Sequence, residues 1–186
     1  MGQDAVATGV ADAIERLGRL LRSRSYAENL NPAQWEALRY LSRCNRHSNN
    51  PTALAAFLGA TKGTVSQTVT ALERKGLIGK VPRPGQGRSL SIVLTDAGRA
   101  VLGRDPLVEV EAAVSSGNGG SAQLADDLHG LLRRLQASND LRTFGKCRTC
   151  RHFRANAPGG DPHTCDYLGA AVTEAEADQI CVEHAP

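Results

Sequence analysis

The stretch TALAAFLGATKGTVSQTVTALERKG, residues 52–76, contains two helical patterns separated by a tight turn. The first is short and apolar, with Thr52 as a candidate N-cap and Gly59 as its stop. The second follows Thr61, another candidate N-cap, and turns polar side chains away from an apolar face. That apolar face consists of Val65, Val69 and Leu72. A short helix, a turn and a polar-faced second helix predict a helix-turn-helix.

Two strand-like segments follow Gly76, which closes the second helix. LIGKVPR spans residues 77–83 and SLSIVLT spans residues 89–95, where apolar and polar positions alternate. Between them PGQGR, residues 84–88, supplies the glycines and the proline of a hairpin turn. The pattern predicts a β wing beside the helix-turn-helix.

Further helical patterns flank this segment on both sides. One covers residues 6–21, and a second begins at Asn31 and Pro32, with the proline in its first turn. Thr95 caps another helix, which Pro106 interrupts. A last helix carries a leucine stripe, formed by Leu124, Leu128, Leu131, Leu132 and Leu135.

The first helix and the late helices present apolar stripes without local partners, so we expect them to pack across a two-fold axis in a homodimer. The predicted fold class is mainly α with a small β wing: a winged helix-turn-helix, a helical dimerisation region and a loop-rich C-terminal cysteine module. The predicted units are an N-terminal dimerisation helix (1–29), a winged helix-turn-helix DNA-binding domain (30–102), C-terminal dimerisation helices (103–140) and a four-cysteine metal-binding extension (141–186).

Composition narrows the class of protein. With 186 residues, 41% of them hydrophobic, the chain can fill the core of one domain with an appendage. No window approaches the roughly 20 apolar residues of a membrane span, and we expect a soluble, cytoplasmic protein without a membrane partner. The net charge is only +3, yet residues 61–90 hold six basic residues against one acidic residue. Such clustering is typical of phosphate contact.

The segment that runs from LNPAQWEALRYL (30–41) to LTDAGRAVL (94–102) resembles the MarR (multiple antibiotic resistance regulator) family of winged helix-turn-helix transcription factors. Its most specific parts are LERKGLI, the basic turn and LTDAG. The resemblance implies a homodimer on a palindromic operator in double-stranded DNA, with the helix over 62–75 in the major groove and the wing around Arg88 at a minor groove. One departure is that family wings usually carry an Asp shortly before this arginine, where Gln86 and Gly87 stand here.

The side chains of the second helix suit base readout. Gln67 can bond an adenine edge with both atoms of its amide, and Thr64 and Thr70 can offer hydroxyls or methyls to bases. Lys62 and Arg74 can engage phosphate or guanine. An arginine in the wing suits a narrow, electronegative minor groove. The predicted DNA-binding residues are Lys62, Thr64, Ser66, Gln67, Thr70, Arg74, Arg83 and Arg88.

Four of the five cysteines lie in the last quarter of the chain, at Cys147, Cys150, Cys165 and Cys181. The spacing C-x2-C-x14-C-x15-C supplies four thiolates, as a tetrahedral zinc ion or an iron-sulfur cluster requires. Only the first two form a C-x2-C pair, and a cluster accepts ligands from more widely spaced backbone. We therefore predict these four as ligands of a cluster, either 2Fe-2S or 4Fe-4S. The fifth, Cys44, is interpreted as a thiol in the core or at its boundary.

Two alternatives stay open for the same cysteines. Zinc can be held by four cysteines, or by three with a histidine, and His152, His163 and His184 all lie near a cysteine in the sequence. A thiol-disulfide switch is the other alternative, because the basic residues around Cys147 and Cys150 can lower a thiol pKa. Sequence alone does not assign a histidine ligand.

These features predict a transcriptional regulator, in the first place a repressor, whose operator affinity follows redox state, oxygen or iron supply. The cysteines follow the last dimerisation helix, so a change at the sulfurs can alter the spacing of the two recognition helices. Operator half-sites lie about 34 Å apart, which makes binding sensitive to that spacing. The sequence has no nucleotide-binding glycine motif and no Ser/His/Asp or paired-carboxylate constellation, so we do not expect an enzyme.

Overall fold

The computed structural model describes residues 2–24, 26–83, 90–117, 120–139, 142–158 and 162–186. The first part of the chain is helical with one hairpin: α1 (Gln3–Arg24), a 3₁₀ turn (Ala27–Asn29), α2 (Pro32–Arg43), α3 (Pro51–Leu58), α4 (Lys62–Arg74), β1 (Ile78–Pro82), β2 (Leu90–Leu94), α5 (Asp96–Leu102), α6 (Leu107–Ser115) and α7 (Ser121–Ser138). The second part contains β3 (Gly145–Lys146), a 3₁₀ turn (Cys147–Thr149), β4 (Phe153–Arg154), β5 (His163–Cys165), β6 (Ala170–Val172), α8 (Glu174–Ala177) and β7 (Ile180–Cys181).

Helix α2 forms the centre of the main core. Its side chains Trp35, Leu38 and Tyr40 are fully buried, and the helix packs against α3, α4, α5 and β2. The helix starts where the sequence predicts, because Asn31 and Gln34 form a capping box. The Asn31 side chain accepts a hydrogen bond from the backbone N–H of Gln34, and the Gln34 side chain accepts one from the backbone N–H of Asn31.

Helices α3 and α4 form the predicted helix-turn-helix. The N-cap of α3 is Asn50 rather than Thr52: Pro51 takes the first helical position, where its missing N–H costs nothing, and the Asn50 side chain accepts from the backbone N–H of Ala53. Gly59 ends α3 in the left-handed conformation, with φ of 59°. Thr61 caps α4 as predicted, since its side chain accepts from the N–H of Thr64.

Strands β1 and β2 pair antiparallel, with Ile78 opposite Leu94 and Pro82 opposite Leu90. This hairpin is the predicted wing, and its inner end is buried in the main core through Ile78 and Ile92. The turn predicted at residues 84–88 lies outside the described residues.

Helices α1 and α7 carry apolar side chains that no other described part of the chain covers. The exposed side chains on α1 are Val6, Val10, Ile14, Leu17 and Leu20, and those on α7 are Leu124, Leu128, Leu132 and Leu135. Their spacing is that of the predicted dimerisation stripes. Among the described residues, none of the helices combines the length and the apolar character that crossing a membrane requires.

The last part of the chain, residues 142–186, is here called the cysteine module. Strands β3 and β7 pair as one small sheet, and β4, β5 and β6 form another in that order. The loop-rich expectation missed these strands, since segments of two or three residues are too short to show an alternating pattern. The helix α8 begins with a capping box between Thr173 and Glu176.

The wing is held to the main core by a close approach of two backbones. A Cβ at Gly98 would overlap the carbonyl oxygen of Leu77, and that oxygen accepts the backbone N–H of Thr95 at 3.1 Å. Gly98 therefore lets α5 lie directly on the chain that enters β1.

Replacement of Gly98 by alanine is expected to lower the free energy of unfolding by about 3 kcal/mol, because a backbone carbonyl cannot move aside as a side chain can. Gly63→Ala in α4 is the matched control, since its Cβ would meet only the Thr61 hydroxyl at 3.8 Å. There the change is expected to stabilise by about 0.5 kcal/mol through helix propensity. Denaturant unfolding measures both, and equal effects would contradict the close approach.

Candidate DNA-binding surface and cysteine module

The outer face of α4 is polar because the inner face is occupied by the core. Val65, Thr68, Val69 and Leu72 are buried against the rest of the domain. The predicted contact residues lie on the other side: Lys62, Thr64, Ser66, Gln67 and Arg74 are exposed, and Thr70 is half-buried. The structure thus brings six of the eight predicted DNA-binding residues onto one helix.

The basic residues around α4 differ in what they contact. Lys75 donates to the backbone carbonyl of Asn29 and to the Gln34 side chain, and Lys80 pairs with Glu73 at 2.6 Å. In the described part of the chain, Lys62 and Arg74 have neither an ion pair nor a hydrogen bond to their charged groups. These two are the cations of α4 that remain available for an external anion.

Of the other two predicted residues, only Arg83 is described; it directly follows β1. Arg83 is half-buried, and its guanidinium donates to the Ser91 hydroxyl at 3.0 Å, to the Arg46 carbonyl at 2.8 Å and to the Asn49 side-chain oxygen at 2.9 Å. These bonds hold the base of the wing, and a contact of Arg83 with DNA stays a prediction. Arg88 lies outside the described residues.

The four late cysteines all lie in the cysteine module as free thiols. Cys147 begins the 3₁₀ turn and Cys150 follows its end, whereas Cys165 ends β5 and Cys181 ends β7. Cys147 and Cys181 are buried in a small apolar cluster with Val172 and Ala177, and Phe153 and Cys165 pack against it.

Cys147 and Cys181 are close enough to share one hydrogen bond. The bond from the Cys147 thiol lowers the pKa of Cys181 to about 6, and hydrogen bonds from the Glu183 backbone and from the Asn45 and Ser48 side chains act in the same direction. The same bond, together with burial and the negative charge of Cys181, raises the pKa of Cys147. The pair therefore holds one proton and one negative charge near neutral pH.

Donors from outside the pair also point at the sulfur atoms. The Asn45 side-chain amide donates to Cys147 Sγ at 3.5 Å, and the backbone N–H of Ala185 donates to Cys150 Sγ at 3.4 Å. Hydrogen bonds of this kind stabilise a thiolate and set the potential of sulfur-ligated clusters.

The three histidines of the module differ in the use of their ring nitrogens. His163 is buried and has both nitrogens engaged: Nε2 lies 2.7 Å from Glu174 Oε2, and Nδ1 accepts from the backbone N–H of Asn156. His184 Nε2 lies 3.0 Å from the Thr149 hydroxyl, whereas its buried Nδ1 has no partner in the described structure. Burial lowers the pKa of His184. His152 stacks on Tyr167.

Across the described residues, no three His, Cys, Asp or Glu side chains surround one point closely enough for a single metal ion. The electrostatic contacts nevertheless join Cys147 to both Cys181 and Cys165. Three of the four thiols, those of Cys147, Cys165 and Cys181, thus lie at one small apolar cluster.

Sequence reasoning missed Asn45 and Ser48, two buried polar residues that contact the module from the loop after α2. The polar run NRHSNN indicates a loop. Nothing in it indicates a contact with Cys147, which is 102 residues further along the chain.

The fold and the outer face of α4 define a winged helix-turn-helix protein. Residues 28–89 match the family model described as MarR family, so the prediction of a MarR-type winged helix-turn-helix is confirmed for this segment. No curated protein sequence matches the chain.

Solved structures share the fold over most of the chain. The transcriptional regulator BldR from Sulfolobus solfataricus is 20% identical with a TM-score of 0.55, and the match covers 72% of this chain and 99% of that one. MepR of S. aureus in complex with DNA is 21% identical with a TM-score of 0.52, covering 73% and 99%. CouR from Rhodococcus jostii, bound to p-coumaroyl-CoA, is 17% identical with a TM-score of 0.55, covering 68% and 90%.

In the reduced, metal-free protein one thiol is expected to titrate near pH 6, because the hydrogen bond from Cys147 favours the Cys181 thiolate. The ultraviolet absorbance of the thiolate follows this titration. Cys181→Ser is expected to remove the step, whereas Cys44→Ser should leave it, since burial raises the pKa of Cys44 to about 12. A first thiolate appearing only near the ordinary cysteine value of 9.0 would contradict the paired geometry.

Proposed function

We propose that this chain is a DNA-binding transcriptional regulator of the MarR type, in the first place a repressor. The observation that carries the proposal is the exposed polar face of α4, the second helix of a helix-turn-helix. On this face Lys62 and Arg74 have no ion-pair partner among the residues that the structure describes. A helix of this kind enters the major groove and reads base edges. Duplex DNA as the partner is also in keeping with the DNA complex of MepR, a structure of the same fold.

The proposed assembly is a homodimer on a palindromic operator. The uncovered apolar stripes of α1 and α7 supply a surface that water would otherwise contact. A two-fold axis through such a surface places two copies of α4 in successive major grooves, about 34 Å apart. Palindromic half-sites then mirror the symmetry of the protein.

For the cysteine module we propose that Cys147, Cys150, Cys165 and Cys181 hold an iron-sulfur cluster. All four are free thiols, and donors already point at two of the sulfurs. The spacing of the four cysteines supplies the thiolates that a cluster requires, and zinc at the same cysteines stays the alternative. Such a cluster, when bound, supplies sensitivity to oxygen, to redox state and to iron supply.

A second candidate is a thiol-disulfide switch, and the hydrogen-bonded pair of Cys147 and Cys181 favours it. The Cys181 thiolate is the nucleophile such a switch needs, and an external disulfide or peroxide would be the oxidant. In both versions the protein senses through the same sulfurs and responds through α4.

The DNA-binding proposal is tested with a duplex that the protein itself selects from a random-sequence library. Gln67→Ala is expected to weaken binding by about 1–3 kcal/mol and to relax the preference at one base pair, since a bidentate contact to a base edge is lost. Arg74→Ala is expected to weaken binding to all duplexes alike and to reduce the salt slope by about one. Fluorescence anisotropy at several salt concentrations measures both.

The control for Gln67 is Gln123→Ala, the same change on the exposed surface of α7, where the side chain bonds to Asp127 within the same helix. That variant should bind the selected duplex like the unmodified protein. Failure of the library to yield any preferred duplex would refute the proposal.

The cysteine proposal is tested by anaerobic reconstitution with ferrous iron and sulfide. The reconstituted protein is expected to be brown, to contain iron and sulfide, and to change its affinity for the selected duplex by about tenfold on exposure to oxygen. The variant with all four cysteines replaced by serine should bind DNA without this response. A colourless protein that binds only zinc would contradict the cluster and support the zinc alternative. Formation of a Cys147–Cys181 disulfide on oxidation of the metal-free protein would support the thiol-disulfide switch.

A further inference from the structure

The loop between α2 and α3, residues 44–50, is here called the connector loop. On one side it continues the small sheet of the cysteine module. Cys44 forms a β-bridge with Ile180, the backbone N–H of Asn45 donates to the Ile180 carbonyl at 2.9 Å, and the backbone N–H of Val182 donates to the Ser48 hydroxyl at 2.9 Å. Strand β7, which ends at Cys181, is therefore attached to this loop.

The connector loop also reaches the sulfur atoms themselves. Asn45 donates to Cys147 Sγ at 3.5 Å, and the side chains of Asn45 and Ser48 lie close enough to Cys181 to lower its pKa. The two thiols of the buried pair thus share partners from one short loop of the DNA-binding domain.

On its other side the connector loop holds the DNA-binding elements. The Asn49 carbonyl accepts the backbone N–H of Ile92 in β2 at 2.7 Å, and the Asn49 side chain accepts from Arg83 at the base of the wing. Asn50 caps α3, the first helix of the helix-turn-helix. A displacement of the loop therefore moves the wing and α3 together.

The connector loop is too tightly bonded to absorb such a displacement internally. The Asn45 side-chain oxygen accepts the backbone N–H groups of His47 and Ser48 at 3.1 and 3.0 Å. The Ser48 carbonyl accepts the Tyr40 hydroxyl at 2.8 Å, and Ser48 is fully buried. Packed and bonded segments move as units rather than deform.

Helix α7 connects the cysteine module to the DNA-binding domain less closely than the connector loop does. An open cleft of about 590 Å³ is lined by Ala137 near the end of α7 and by residues 182–185 of the module. Helix α7 also has no extensive packing against the module's strands or helix in the described residues. The direct contacts of the module run instead to the connector loop and, through Phe144, to Phe57 of α3.

We propose that the connector loop transmits the state of the cysteines to the wing and α3, with Asn45 as the positioning residue that joins Cys147 to the loop. The inference rests on the proposed regulatory function, since it says how that function is controlled. In this inference the signal passes through the loop that supports the helix-turn-helix. The sequence alone instead predicts that it passes through the dimerisation helix and changes the spacing of the two recognition helices. By reciprocity, bound DNA must then alter the cysteines as much as the cysteines alter DNA binding.

This reciprocity gives a test that needs no metal. The reduced, metal-free, full-length protein is treated with iodoacetamide, with and without the selected duplex, and the alkylation rate of each cysteine is read by mass spectrometry. Bound DNA is expected to change the rates at Cys147 and Cys181 by about tenfold, because these buried thiols react only when the surrounding structure opens locally. In Asn45→Ser the change should fall below about twofold, because serine can still form the turn but cannot reach the sulfur.

Asn50→Ser is the matched control, since it makes the same change in the same loop, keeps an N-cap and touches no cysteine. It should retain the full effect of DNA on the alkylation rates. Asn45→Ser should bind the selected duplex as the unmodified protein does, which separates lost coupling from lost folding. If Asn45→Ser does not fold, Ser48→Ala serves in its place, because it removes the hydroxyl bonded to Val182 and Cys181.

Two results would overturn the inference. In one, the unmodified protein binds the duplex but its cysteines react at the same rate with and without DNA, which leaves the proposed function intact. In the other, DNA changes the alkylation rates of Asn45→Ser and Asn50→Ser as much as those of the unmodified protein. DNA would then affect the cysteines by a route that does not involve Asn45. Absence of any bound duplex would instead refute the proposed function, and the inference with it.

Discussion

The amide of Asn45 joins the DNA-binding domain to a sulfur atom of the cysteine module. Its side chain is 2% exposed, its oxygen closes the turn that leads into α3, and its nitrogen donates to Cys147 Sγ. An unsatisfied buried amide costs about 1–3 kcal/mol, so breaking the hydrogen bonds of either the oxygen or the nitrogen of Asn45 would destabilise the fold. The turn that starts the helix-turn-helix and the seat of the first cysteine are thus fixed by the same side chain.

The cysteine module depends on this attachment because its own core is small. Its buried cluster comprises Cys147, Val172, Ala177 and Cys181, with Phe153 and Cys165 packed against it. Segments of fewer than about 50 residues seldom bury enough apolar surface to be stable alone, and they are usually held by a metal, by disulfides or by a partner. Contacts with the connector loop are one source of stability for the module. Its four free thiols can provide a second source by binding a metal or forming a disulfide.

Helices α2, α4 and α5 were predictable because a capping signal marks the start of each, namely Asn31 with Pro32, Thr61 and Thr95. Thr52 was the wrong cap because two adjacent residues, Asn50 and Pro51, satisfy the same end better. The strands of the module were missed since they are two or three residues long and are defined by pairing with distant segments. The contact of Asn45 with Cys147 has no local signature, so only the tertiary fold reveals it.

The chemistry of the Asn45 contact explains how a change in the charge of the sulfur atoms can shift the connector loop. A hydrogen bond to a charged sulfur is roughly twice as strong as one to a neutral group, so the bond from Asn45 Nδ2 varies with the charge on Cys147. The oxygen of the same amide stays committed to the backbone of His47 and Ser48. Any gain or loss at the nitrogen therefore acts on the turn as a whole. Because Asn49 and Asn50 follow in that turn, a displacement reaches the wing through the Asn49 carbonyl and α3 through the side-chain cap of Asn50.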